Sequence, residues 1–356
     1  MGIFLDIVSS DSIIITPEML NLISEIDEFK GAWQQLGRLT PDRLSALKRV
    51  ATIESIGSST RIEGAKLSDN QIENLLLNAA DKSFQTRDEQ EVAGYAFVCE
   101  QIFNHYHDIT LTENTIKQLH TSLLQYTDKD ERHRGEYKKN PIRIEAFDSI
   151  GKSVGIIFET TSPLETPFKM QSLIIWMNDA FAKKIFHPLI IIGIFIVLFL
   201  AIHPFQDGNG RLSRLLTTLL MLKCGYFYAP YSSLESIIEA NKEGYYLALQ
   251  RTQKSWQNNN PDWNPWLLFF FNCLQRQKKH LEIKLEKERM LFNVLPPLSS
   301  QILELLKAHG RLGISEIAVL TNANRNTLKK TLVVLVKENY IIRKGVGKAS
   351  WYSSNL

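Results

Sequence analysis

His203-Pro204-Phe205-Gln206-Asp207-Gly208-Asn209-Gly210-Arg211-Leu212-Ser213-Arg214 stands between two helical patterns in a chain of 356 residues. Ahead of it, Leu189 to Ile202 is apolar at every position, which reads as one buried core helix. That run is shorter than the roughly 20 residues of a membrane span, and the polar segment follows it at once, so no membrane association is expected. Behind it a new helix starts near Arg211. Between them, Gly208 and Gly210 allow positive φ and close backbone approach to a ligand. N–H groups at the amino end of a helix make an anion site. Arg211 and Arg214 add fixed charge suited to phosphate oxygens. Asp207 is the one carboxylate, suited to a Mg²⁺ that travels with a nucleoside triphosphate. His203 can take a proton from an attacking hydroxyl. A histidine after an apolar helix is by itself most often a cap or core residue, and Gly-Asn-Gly is usually a plain turn. Their conjunction within these few residues is what points to chemistry.

Outward from this stretch, helical periodicity covers most of Pro17 to Lys287, with Pro41, Asp69 and Thr112 marking helix starts. From Gly135 to Thr166 the pattern changes. Ile142, Ile144, Val154, Ile156 and Phe158 alternate with other residues beside Gly151 and Gly155, predicting a short hairpin within a helical domain. Arg276 to Arg289 is dense in Lys, Arg and Glu at helical spacing, a solvated helix leading to Leu295-Pro296-Pro297 and a domain boundary. Beyond it, helices are predicted at Ser299 to His309, Ser315 to Leu320 and Asn326 to Asn339. A wing from Tyr340 to Arg343 and Ala349 to Tyr352, turning at Gly345 to Gly347, completes the pattern.

Composition sets outer limits. A formal charge of +3 over the whole chain is too weak to make it a general nucleic-acid binder. Cys99, Cys224 and Cys273 are widely separated, so neither a disulfide framework nor a metal-ligand set is expected, and a reducing cytoplasm is the default. Met1 to Leu20 has no Lys or Arg ahead of its apolar residues, so it does not read as a secretory leader. The loop is not a Walker A motif, having no Gly-Lys-Ser/Thr ending.

At these residues the chain resembles the Fic family, whose motif is HPFx(D/E)GNGRxxR. His203, Pro204, Phe205, Asp207, Gly208, Asn209, Gly210, Arg211 and Arg214 fill every fixed position. The resemblance implies an all-α fold, a Fic helical core with a β-hairpin flap. It implies adenylyl transfer from ATP with Mg²⁺ to a Ser, Thr or Tyr hydroxyl of a target protein or of the chain itself. His203 would be the general base and Asp207 the metal ligand, with Gly208, Asn209, Gly210, Arg211 and Arg214 around the triphosphate. Gly135-Glu136-Tyr137-Lys138 is similar to the Gly-x-Tyr-Arg that opens the family's flap, with Lys138 in place of the commoner Arg. Ile144, Glu145, Ala146 and Phe147 would be the flap residues nearest the nucleotide. Tyr245 and Tyr246 fall where the family surrounds adenosine, although core aromatics on a helix is an equal reading.

Upstream, Ser59-Thr60-Arg61-Ile62-Glu63-Gly64 looks like the family's inhibitory motif, (S/T)xxxE(G/N). Glu63 would pair with an arginine meant for phosphate, most naturally Arg214, and let ATP bind only in an unproductive pose. The tail resembles a winged helix rich in Lys and Arg, which serves DNA or protein docking in different proteins. The organisation read from the sequence is 1–110 as an N-terminal helical region with the inhibitory motif, 111–275 as the Fic core, 276–295 as a charged linker and 296–356 as a winged-helix-like domain. Homo-oligomerisation and DNA binding through 296–356 stay open. So do AMP removal, a different nucleotide or phosphate donor, and a nucleotide-sensing DNA-binding regulator.

Overall fold

The computed structural model describes residues 12–35, 41–77, 84–147, 153–256, 261–293, 296–345 and 350–355. The first five helices are α1 (Pro17–Gln35), α2 (Pro41–Ile62), α3 (Asp69–Leu77), α4 (Arg87–His105) and α5 (Glu113–Leu123). A hairpin follows, β1 (Arg143–Phe147) and β2 (Ser153–Glu159). Then come α6 (Thr166–Lys183), α7 (Pro188–Ile202), α8 (Asn209–Lys223), α9 (Leu234–Ala240), α10 (Lys242–Trp256) and α11 (Asn264–Asn293). The last segment holds α12 (Pro297–His309), β3 (Leu312–Gly313), α13 (Ile314–Thr321), α14 (Arg325–Lys337), β4 (Ile341–Lys344) and β5 (Trp351–Ser354). The chain divides into two compact units, Met1–Gly37 with Leu47–Lys279, and Arg38–Ala46 with His280–Leu356.

The first unit is built around α7. Every residue from Leu189 to Ile202 is buried, as a run with no polar face requires. Pro188 takes the first helical position, and the His187 ring accepts the Leu189 N–H at 3.3 Å. Among the described residues no helix is long and apolar enough to cross a membrane. Gly193 lets α11 approach closely, since a Cβ there would press on Leu267, and Trp266 Nε1 donates to the Gly193 carbonyl at 2.7 Å. α4 starts with a capping box, Thr86 and Glu89 satisfying one another's backbone N–H groups. The predicted starts at Pro41, Asp69 and Thr112 coincide with helix starts, and Thr112 Oγ1 accepts the Thr115 N–H at 3.1 Å.

The predicted hairpin is present. β1 and β2 pair antiparallel from Arg143↔Glu159 to Phe147↔Ser153, with register irregularities at Ile144/Glu145 and Ala146/Phe147. Its turn, with Gly151, lies outside the described residues. Both arms are tied to the end of α7: Lys138 N donates to the Pro204 carbonyl at 2.9 Å and Thr161 N to the Ala201 carbonyl at 3.2 Å. β2 packs beside α10, so the flap, the end of α7 and the tyrosine-bearing helix share one region.

In the second unit, α12, α13 and α14 pack around Ile302, Leu306, Ile317, Leu328, Leu332 and Leu335. The sheet has the order β3-β5-β4, all antiparallel. β3 was not anticipated, because two residues carry no legible alternation. The turn at Val346 to Ala349, with Lys348, lies outside the described residues. Arg325, Lys329, Lys330, Lys337, Arg343 and Lys344 are exposed.

Candidate active site

α7 ends at His203 in the left-handed region, φ 52°, a conformation that costs a non-glycine residue about 1 kcal/mol or more. Its N–H still closes the helix onto Phe199 O at 2.9 Å. Its ring Nδ1 lies 3.3 Å from the Leu200 carbonyl. A carbonyl can only accept, so Nδ1 carries the proton and Nε2 keeps its lone pair. Burial, with the charge of Lys138 nearby, pushes the imidazole down to about 4. At neutral pH the ring is therefore an uncharged base.

The turn after His203 is locked by Asn209. Its Oδ1 accepts the Phe205 N–H at 2.9 Å and its Nδ2 donates to the Phe205 carbonyl at 2.7 Å. Asn209 is 1% exposed, so its amide serves the loop and shapes the cradle indirectly. Gly208 sits at φ 78° as the N-cap of α8, where a side chain would be strained. Gly210 is in the first turn of α8, and a Cβ on it would overlap Glu63 Oε1. A carboxylate oxygen thus lies against the amino end of α8, where an anion is favoured.

That carboxylate is the one anticipated upstream. Glu63 follows the last turn of α2, and its Oε1 accepts from Arg214 Nη2 at 2.7 Å. Ser59 completes the hold: Arg214 Nε donates to Ser59 Oγ at 2.7 Å and Nη2 to the Ser59 carbonyl at 2.9 Å. Arg214 Nη1 and Arg211 Nε are buried with no hydrogen-bond partner among the described residues. Unpaired buried donors of this kind are costly and fit a ligand rich in acceptor oxygens.

Asp207 is more heavily engaged than the sequence suggested. Its Oδ2 takes Arg211 Nη2 and Arg87 Nη2, both at 3.0 Å. Burial raises its carboxyl, but the charge of Arg211, the Gly208 N–H and Arg87 outweigh that and hold it below the usual carboxylate range. Among the described residues no group of three or more His, Cys, Asp or Glu could hold a metal alone. The Asp207 carboxylate, near the amino end of α8, suits Mg²⁺ that brings further oxygen ligands with it.

Four positions that sequence reasoning missed, or mentioned only in passing, shape this site. His120, on α5, accepts the Gly135 N–H through Nδ1 and lies 3.0 Å from the Asp207 carbonyl through Nε2. It stacks on Phe205 at 3.8 Å and 7°. One neutral ring, pushed down to about 4 by burial, joins the motif loop to the start of the flap. Lys138 is buried, its Nζ donating to the Ile202 carbonyl and to Thr160 Oγ1, both at 2.8 Å. Burial and Lys169 push it down to about 8. Arg87 and Glu91, at the start of α4, complete the ring of charges around Asp207. Lys138 falls in the flap-opening pattern, but no local pattern shows that its side chain is buried against the end of α7. The partners of His120, Arg87 and Glu91 in the motif lie far along the chain.

Tyr245 is buried, and burial pushes its hydroxyl up to about 12 against the opposing charge of Arg214. It packs edge-on to Tyr246 at 5.2 Å and to Trp266 at 5.9 Å. Tyr245 thus works as a core aromatic that also borders the cradle. Ile144 is half-buried in β1; Glu145, Ala146 and Phe147 follow it on the same strand.

Residues 110–221 match the model of the Fic/DOC family. A curated relative, "Protein adenylyltransferase Fic" of Aedes aegypti, is 27% identical over 243 residues, covering 66% of this chain and 43% of the relative. The protein of the same name from Drosophila melanogaster is 26% identical over 235 residues, covering 65% of this chain and 42% of the relative. The chain therefore spans less than half the length of these relatives. A solved structure of a Fic family protein from Desulfovibrio desulfuricans G20 superposes with a TM-score of 0.65 over 96% of this chain and 97% of that one, at 22% identity. A Fic domain containing signaling protein from Bacteroides thetaiotaomicron gives a TM-score of 0.58 at 26% identity, covering 72% of this chain and 94% of that one.

Proposed function

This chain belongs to the Fic/DOC family through residues 110–221, and on that premise we propose that it is a protein adenylyltransferase held in check by its own Glu63. The observation that carries the reading is the Glu63–Arg214 pair at 2.7 Å against the Gly210 end of α8. An acidic side chain fills an anion cradle in which Arg214 Nη1 and Arg211 Nε have no hydrogen-bond partner among the described residues.

In the forward reaction His203 Nε2 takes the proton of a target hydroxyl. The hydroxyl oxygen then bonds to the α-phosphorus of ATP, while the bond from that phosphorus to the α–β bridging oxygen breaks. Pyrophosphate leaves with the electron pair, and AMP remains on the target. The neutral His203, with Nδ1 turned to Leu200, suits the base role. Arg211, Arg214 and the α8 amino end suit the triphosphate charge. Mg²⁺ arriving with the nucleotide, with Asp207 as its protein ligand, would neutralise phosphate charge. Glu63 competes for Arg214, so bound ATP cannot place its γ-phosphate there, and its α-phosphorus is turned from in-line attack.

The test is labelling with α-labelled ATP, read by mass spectrometry on the chain itself and on a lysate. Wild type should label weakly, Glu63→Gly strongly and His203→Ala not at all. Strong ATP binding by Glu63→Gly with no label on any protein would rule out transfer. Release of AMP from a modified protein by wild type, lost in Glu63→Gly, would assign the reverse reaction instead.

The second unit receives a docking role in this reading. Its helix order and three-stranded sheet support the winged-helix resemblance, and exposed Arg325, Lys329 and Lys330 on α14 favour an acidic partner. Duplex DNA binding that weakens steeply with salt is the expected outcome if that partner is nucleic acid.

A further inference from the structure

Arg87 lies outside the matched family domain, at the first position of α4, yet it reaches the motif. Its Nη2 is 3.0 Å from Asp207 Oδ2, the same oxygen that Arg211 Nη2 holds at 3.0 Å. Glu91 closes a ring: Arg87 Nε is 2.8 Å from Glu91 Oε1, and Arg211 Nη1 is 3.1 Å from Glu91 Oε2. Two guanidiniums and two carboxylates balance one another.

A divalent cation approaching the Asp207 carboxylate meets two guanidiniums already paired with Oδ2. Close like charges oppose its binding, so withdrawal of one of the two favours it. Arg211 cannot do so readily, being 1% exposed and fixed to the 9%-exposed Glu91. The Arg87 side chain is 52% exposed and stands at the solvent edge of the ring. Glu91, one turn along α4, can keep Arg87 Nε while Nη2 lets go.

We propose that Arg87 is a counter-ion lock on Asp207, competing with the divalent cation of the metal–nucleotide substrate and yielding to it when that substrate binds. This rests on the reading of Asp207 as the metal-binding carboxylate of a nucleotide site. The lock holds the Asp207 carboxylate in place ahead of the metal, and it makes metal binding weaker than the bare carboxylate would allow.

The test measures how much Mg²⁺ tightens ATP binding. ATP affinity is titrated calorimetrically in EDTA and in saturating Mg²⁺, for Glu63→Gly and for Glu63→Gly with Arg87→Gln. The ratio of the two affinities isolates the metal–nucleotide coupling from any direct contact of Arg87 with phosphate. Arg87→Gln should raise that ratio about two- to fivefold, the scale of a half-exposed ion pair. A ratio that is unchanged or lower overturns the proposal. The same pair of titrations with Asp207→Asn added should show no effect of Arg87→Gln. A shift that persists without the Asp207 carboxylate also overturns it, since competition for that oxygen would not be the cause. If the Glu63→Gly chain binds no ATP in either buffer, the nucleotide reading itself falls and takes this inference with it.

Discussion

Glu63 and Arg214 lie 151 positions apart in sequence and 2.7 Å apart in space, with the carboxylate on the solvent side and the guanidinium 3% exposed. Removing Glu63 leaves Ser59 as the hydrogen-bond partner of Arg214 among the described residues and frees a further guanidinium donor. In the proposed reading the pair sets the resting state of the cradle, and its support elsewhere in the fold can be tested.

Glu63 is aimed by the residue two positions before it. Arg61 Nε and Nη2 contact Glu239 at 2.7 and 3.1 Å, and Arg61 Nη1 contacts Asp69 at 2.8 Å. Lys242 Nζ adds a bond to the Ile62 carbonyl at 2.6 Å. Glu239→Gln should loosen the end of α2 and raise self-labelling about two- to tenfold, the range for a half-buried charged pair. In a Glu63→Gly background it should add nothing. Equal stimulation in both backgrounds would mean that Arg61 does not act through Glu63.

Gly210 offers a second check on the same contact. A Cβ there overlaps Glu63 Oε1, whereas Arg214 Nη1 is 3.3 Å away. Gly210→Ala should destabilise wild type by about 1–2 kcal/mol and the Glu63→Gly chain by clearly less. Urea melts of the four chains give the coupling directly. Equal penalties would show that the glycine is needed for some other reason.

His120 should behave as a structural tie. His120→Ala leaves the Gly135 N–H and the Asp207 carbonyl without their partner and removes the stack on Phe205, a loss of about 2–4 kcal/mol. His120→Gln can keep a donor toward Asp207 and should recover part of that stability. Equal melting of the Ala and Gln variants would leave the ring's shape, not its hydrogen bonds, as the important property.

Acid should weaken the fold in a defined window. His120 and His203 are both pushed by burial from the ordinary 6.5 to about 4. Between those values the unfolded chain binds more protons than the folded one. Their contribution is complete above about pH 6.5 and is lost as pH falls through 4, by up to about 1.4 kcal/mol per pH unit for each ring. Urea titrations at pH 7, 6 and 5 should show the decline, and His120→Gln should shed one proton of the dependence. Constant stability over that range would contradict the buried neutral state of both rings.

Much of the site is legible in the chain because its chemistry is local. The apolar run Leu189 to Ile202 can only be buried, and the stretch that follows, His203 to Arg214, brings together a histidine, a carboxylate, two glycines and two arginines. Helix starts at Pro41, Asp69 and Thr112 were readable because capping is a contact between residues a few positions apart. The strand Leu312–Gly313 was not, because two residues that pair with Trp351 and Tyr352 leave no period to detect.

The sequence alone determined the helical class, the hairpin and the clustering of reactive side chains in His203 to Arg214, since these follow from periodicity and from residues close along the chain. Tertiary structure decided which charges meet. Arg87 reaches Asp207 across 120 positions and His120 reaches the Asp207 carbonyl across 87, through helix faces whose rotation about one another no local pattern encodes. The pairing of Glu63 with Arg214 falls between the two cases. The motif suggested it, but only the packing that brings the end of α2 to the start of α8 turns a spacing into a 2.7 Å contact.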